Sequence, residues 1–152
     1  TTQVGSTEIP SEILSVDGFA NPLPWLELTG TAFTGQNLAH FSGRSFYGFT
    51  YLTPTPGASL VIPVRQRGGW GQATFLATRR LSFNVLGGME QPNSDDVIAS
   101  AIVKNTSYIA NAYYRIAPNV LGGFEISQVQ TFYKAGERPL NVHFDLHLAY
   151  FF

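Results

Sequence analysis

The chain is built on alternation. In its final stretch, "NVHFDLHLAYFF", Val142, Phe144, Leu146, Leu148, Tyr150 and Phe152 fall on one parity, and Asn141, His143, Asp145, His147, Ala149 and Phe151 on the other. Period two marks a β-strand with unlike faces, because successive side chains leave a pleated backbone on opposite sides. The same rhythm recurs upstream in pieces of about ten residues bounded by Gly, Pro, Asn or Arg. "VLGGFEISQVQTFY" (Val120–Tyr133) has Val120, Phe124 and Ile126 on one face, Glu125 and Ser127 on the other. "SYIANAYYRI" sets Tyr108, Ala110, Ala112, Tyr114 and Ile116 against Ser107, Asn111, Tyr113 and Arg115. "LSFNVLGGM" opposes Leu81, Phe83, Val85 and Met89 to Ser82 and Asn84, and "WGQATFLA" opposes Ala73 and Phe75 to Gln72 and Thr74. "WLELTGTAFTG" opposes Leu26, Leu28 and Ala32 to Glu27, Thr29 and Thr31. These segments predict six strands, with a weaker seventh over Glu12–Ala20. Helical periodicity is almost absent.

The connections alternate too. "NPLP", "ATRR" and "IAPN" are tight, whereas 36–69 and Glu90–Lys104 are long; "KAGERP" is short where a long loop is due. Tight turns at one end and long loops at the other are the habit of outer-membrane β-barrels, whose tilted strands of ~9–11 residues cross the apolar layer. Aromatics near the predicted strand ends (Trp25, Trp70, Tyr108, Tyr114, Tyr150, Phe152) fit interfacial belts, or alternatively a sandwich core. Composition strengthens the membrane reading. Only 12% of the 152 residues are charged, about half the usual share, while 14% are aromatic and 15 are glycine. A net charge of -1 argues against a nucleic-acid partner. With no cysteine, disulfide and thiolate-metal scaffolds are excluded, and no apolar run reaches the ~20 residues of a membrane helix. A bacterial barrel needs at least ~8 strands, so the expectation is one domain over 1–152 that forms the C-terminal portion of a larger barrel. The opening "TTQVGSTEIPSEIL" reads accordingly as an internal cut.

In their order, "LELTGTAFTGQNLAHFSG", "RGGWGQATF", "RLSFNVLGG", "NTSYIANAYYRIAPNVLGGFEISQVQTF" and "NVHFDLHLAYFF" resemble the C-terminal part of porin-like outer-membrane proteins of Gram-negative bacteria, particularly of acidobacterial type. The resemblance covers about residues 25–152 and implies an all-β, antiparallel up-and-down transmembrane barrel integral to the outer membrane. The terminal pattern of Phe144, Leu146, Leu148, Tyr150 and Phe152 is similar to the signal read by the barrel-insertion machinery, which suits strand addition at a free edge.

The chemistry is sparse. His143, Asp145 and His147 share a strand face, but the outer two stand about 13 Å apart, too far for one ion. Residues lining water account for them better, and no metal or cofactor is expected. No catalytic triad, phosphate loop or nucleophile elbow occurs, so no enzymatic activity is expected. The parity implies a lumen lined by Glu27, Thr29, Gln72, Asn84, Asn111, Arg115, Glu125, His143, Asp145 and His147, with Arg115 and Glu125 able to pair across their hairpin. In the long loop, Arg44, Arg65 and Arg67 either narrow the pore and favour anionic solutes, or lie on an ordinary solvated surface. The leading expectation is a channel for small hydrophilic solutes, with membrane lipid as partner and room for a homo-oligomer. The competing readings are a structural or adhesive barrel with a plugged lumen and a small soluble β-barrel or sandwich holding an apolar ligand.

Overall fold

The computed structural model describes residues 2–4, 7–40, 47–55 and 58–152. Its strands are β1 (Thr2–Val4), β2 (Thr7–Ile9), β3 (Glu12–Leu23), β4 (Leu26–Gln36), β5 (Phe49–Thr55), β6 (Ala58–Pro63), β7 (Arg65–Leu76), β8 (Leu81–Pro92), β9 (Ile102–Ala117), β10 (Val120–Tyr133) and β11 (Leu140–Tyr150). The helical elements among the described residues are short 3-10 turns at Leu38–His40 and Ser94–Asp96. The protein is all-β.

Seven strands form one antiparallel sheet in the order β11-β10-β9-β8-β7-β4-β3. Each strand lies beside its predecessor in the sheet, an up-and-down meander whose connections fall alternately at the two ends. The seven strands expected from alternation are these seven. They run 11 to 16 residues, and β7, β8 and β9 extend past their expected ends at the long-connection side because polar residues there stay in the ladder. Glu90, for example, assigned by pattern to a connection, pairs with Asn105. A strand of 11 residues at ~3.3 Å per residue and ~45° tilt spans about 25 Å, the height of a barrel's apolar band. Edge strands β3 and β11 are not paired with each other, so the described sheet is open.

The 36–69 segment is more structured than a loop. It holds the antiparallel hairpin β5–β6 and the first residues of β7. Hairpin β1–β2 makes a second small sheet.

Pairing register stacks unlike residues into unlike faces. Leu28, Ala73, Val85, Ala110, Ile126 and Phe144 are successive partners across β4, β7, β8, β9, β10 and β11. One residue along, the opposite face carries Glu27, Thr74, Asn84, Asn111, Glu125 and Asp145. Among the described residues no second layer covers the apolar face: even on central β8, Phe83 is 45% and Val85 48% exposed. A water-soluble sheet of this size buries that face against another layer, and an uncovered apolar surface this large marks an interaction surface.

The side chains that are fully buried, Ile9, Leu38, Val64 and Asn37, belong to the loop end. There Val64, Val97 and Ala101 cluster with Tyr47 and Val103 packed against them. Asn37 adopts φ 52, a left-handed conformation that asparagine tolerates better than most residues. Its Nδ2 donates to Ser11 Oγ at 2.7 Å and its backbone N–H to the Val64 carbonyl at 3.1 Å. Lys134 Nζ donates to the carbonyls of Ser94 (2.6 Å) and Val97 (2.9 Å), tying the β10–β11 turn to the β8–β9 connection. The opposite end has only tight turns, between β3 and β4, β7 and β8, and β9 and β10.

Aromatics collect at that tight-turn end. Trp25 stacks on Phe75 at 6.2 Å, and Tyr150 lies 5.7 Å from Phe152. Trp70 and Tyr108 depart from the belt expectation. Trp70 lies within β7, on the polar face opposite Thr31 and Gly88, and Tyr108 lies inside β9 because that strand begins at Ile102.

Candidate functional site

The face opposite the apolar one carries the polar chemistry. By alternation and pairing it presents all ten residues assigned to it from sequence: Glu27 and Thr29 on β4, Gln72 on β7, Asn84 on β8, Asn111 and Arg115 on β9, Glu125 on β10, and His143, Asp145 and His147 on β11. At its centre the side chains bond across strands. Thr74 Oγ1 donates to Asn84 Oδ1 at 2.6 Å, Asn84 Nδ2 to Asn111 Oδ1 at 2.6 Å, and Asn111 Nδ2 to Glu125 Oε2 at 3.1 Å. Gln72 Nε2 joins through Thr74 Oγ1 at 3.0 Å. Glu125 Oε2 stands at the accepting end of this chain of bonds. Asn111 offers it an N–H, which leaves Asn111 Oδ1 for Asn84, and Asn84 Oδ1 for the Thr74 hydroxyl. Such aligned bonds polarise one another. Asn84, in the middle of the row and bonded on both sides, is 8% exposed.

Arg115 and Glu125 do not pair. The register sets Glu125 against Asn111 and Arg115 against Leu121, with an irregularity between Val120 and Leu121. The Arg115 guanidinium instead donates to the Pro118 carbonyl at 3.1 Å, across the turn.

On β11, His143, Asp145 and His147 face Ser127, Glu125 and Gly123. The His147 ring lies 6.0 Å from that of Tyr113, and among the described residues no group of three His, Cys, Asp or Glu converges as metal ligands would. Further residues belong to this face. Asp17 and Ser15 alternate with Leu14 and Val16 on β3, a strand whose weak pattern gave no face assignment, and Asp17 pairs with Thr31. Thr74, the first donor of the chain, stood beside Gln72 in the same alternation.

The loop arginines land elsewhere. Arg44 lies outside the described residues. Arg65 and Arg67 are the first and third residues of β7, opposite Gln36 and Thr34, on the parity of the apolar face. Both arginines thus stand in the sheet and not in a loop: Gly68 and Gly69 read as a boundary, yet the ladder continues through them. Arg65 grips Asp96, with Nε on Oδ2 at 2.8 Å and Nη2 on Oδ1 at 2.7 Å, and its backbone N–H adds a third bond at 3.0 Å. The guanidinium bond holds the buried Asp96 carboxyl below the usual carboxylate range, against the opposing pull of desolvation.

On edge strand β11, Phe144, Leu146, Leu148 and Tyr150 project from the apolar face, and Leu146 is 86% exposed. Phe152 follows the strand and is fully exposed. No family model, curated protein or solved structure matches this chain.

Proposed function

We propose that this sheet is part of the wall of an outer-membrane β-barrel channel, its apolar face against lipid and its polar face against a hydrated lumen that passes small hydrophilic solutes. The observation that carries the reading is the two-faced register: apolar rows uncovered across the sheet, polar rows joined by hydrogen bonds on the reverse. In lipid every backbone group must be paired, so the two open edges imply further strands that close the sheet. The order of motifs resembling porin-like outer-membrane proteins of Gram-negative bacteria supports the same reading, as do tight turns at one end and packed connections at the other. Conduction through such a wall depends on width and lining charge and needs no covalent chemistry. The strand carrying Phe144 to Phe152, free along one edge, fits recognition by the barrel-insertion machinery through strand addition. The test is planar-bilayer recording of the folded protein: stepwise ionic currents are expected, and insertion without current would refute the channel and leave a plugged structural barrel.

A further inference from the structure

We infer that the loop-end rim of the apolar face binds phosphate-bearing lipid headgroups, with Arg67 and Lys104 as the cations that recognise them. This rests on the lipid-facing reading above and adds the headgroup chemistry. Along the apolar face the rows of β4, β7, β8 and β9 carry no charge until the loop end, where Thr34 pairs with Arg67 and Arg67 with Gln91. In the neighbouring strands Lys104 pairs with Phe132 on the same face. Lys104 Nζ lies 5.5 Å from the Phe132 ring centroid and the Arg138 guanidinium 5.6 Å from it. The first charges beyond the apolar belt are thus cationic. The carboxylates of this end stand farther out, as Glu12 opposite Gln36, Asp95 and Asp96 in the turn after β8 and Glu137 in the turn after β10, or on the opposite face, as Glu90 in β8.

Arg65 and Arg67 differ in what they have left to offer. Arg65 is neutralised by Asp96. Arg67 holds only the neutral Gln91 Oε1, at 3.2 Å, among the interactions of the described residues. Its planar fork matches two phosphate oxygens, and a surface cation beside an apolar belt keeps its stem in the hydrocarbon while its head reaches the headgroup layer. A cavity of about 350 Å³ opens at this point, lined in part by Arg67, Arg65, Thr34, Gln91 and Ser94. Its wall carries hydroxyl and amide groups that complement a phosphate ester.

The folded protein in detergent micelles, offered equal amounts of phosphatidic acid and phosphatidylcholine, reports the preference by lipid retention in native mass spectrometry. Retention of phosphatidic acid is expected to exceed that of phosphatidylcholine. The preference should fall about fivefold in each of R67Q and K104Q, the worth of one cation at an anionic surface. It should stay unchanged in R79Q/R80Q, which removes two cations of the tight-turn end. Equal retention by the parent protein, or an undiminished preference in R67Q/K104Q, would overturn the site. Complete displacement of the lipid by millimolar inorganic phosphate would overturn the lipid assignment in favour of free phosphate. Failure of the lipid-facing reading itself looks different: the protein would then remain monodisperse without detergent.

Discussion

Asn111 stands directly opposite Glu125 and donates its amide hydrogen to the carboxylate at 3.1 Å, while its carbonyl oxygen accepts from Asn84 at 2.6 Å. One side chain thus joins three strands, β8, β9 and β10. Removing it leaves the Asn84 amide and the Glu125 carboxylate each short of a partner. N111A is expected to lose about 1–3 kcal/mol of unfolding free energy, read from urea titration in detergent. N111D should lose more, because it sets a second carboxylate against Glu125.

Selectivity follows from where the charges stand. The acidic groups on the polar face of the sheet are Asp17, Glu27, Glu90, Glu125 and Asp145, whereas Arg115 lies at the turn, bonded to Pro118. With Arg65 and Arg67 on the other face, the anion preference expected of a basic loop loses two of its three arginines. Cations are expected to pass in preference to anions. The double substitution E125Q/D145N should lower the cation-to-anion permeability ratio by roughly twofold or more, from reversal potentials in a salt gradient.

Asp96 gives the loop end a pH dependence. Its folded pKa lies below the unfolded value, so the Arg65 contact contributes fully above about pH 4, the unfolded range, and the contribution is lost as pH falls through the folded pKa. Limited proteolysis of the 93–101 connection should therefore accelerate as the pH drops below about 4. In R65Q the accelerated cleavage should already be present at pH 7.

Much of this was legible in the sequence, and the failures have physical causes. Period two gave the faces: each of the ten polar residues stands on the side its parity assigned. Parity does not give register. The partner of Glu125 depends on an irregularity at Val120 and Leu121 that no alternation announces. Strand ends were misjudged where polar residues such as Glu90, Lys104 and Asn105 remain in the ladder beyond the apolar band. The hairpin β5–β6 was hidden by proline, although the Pro56-Gly57 pair between "FTYL" and "LVIP" was an available turn signal. The Asn37 hub could not be read at all, because it joins segments far apart in the chain.

Substitution on the apolar face separates lipid from water energetically. V85R places a guanidinium in the middle of the uncovered face, at a residue 48% exposed. In a bilayer it is expected to cost about 2–4 kcal/mol, whereas an exposed site in water would change by about 0.5 kcal/mol or less. Urea unfolding in vesicles gives the difference.

The most direct measurement uses the absence of cysteine, since any introduced thiol is unique. Single variants V85C and I126C place it on the apolar face, Q72C and S127C on the polar face, all within the sheet. With the protein folded into lipid vesicles, a water-soluble maleimide is predicted to label Q72C and S127C and to leave V85C and I126C unmodified, although Val85 and Ile126 are 48% and 38% exposed on the chain itself. Equal labelling of both pairs would contradict a wall with lipid on one side and water on the other.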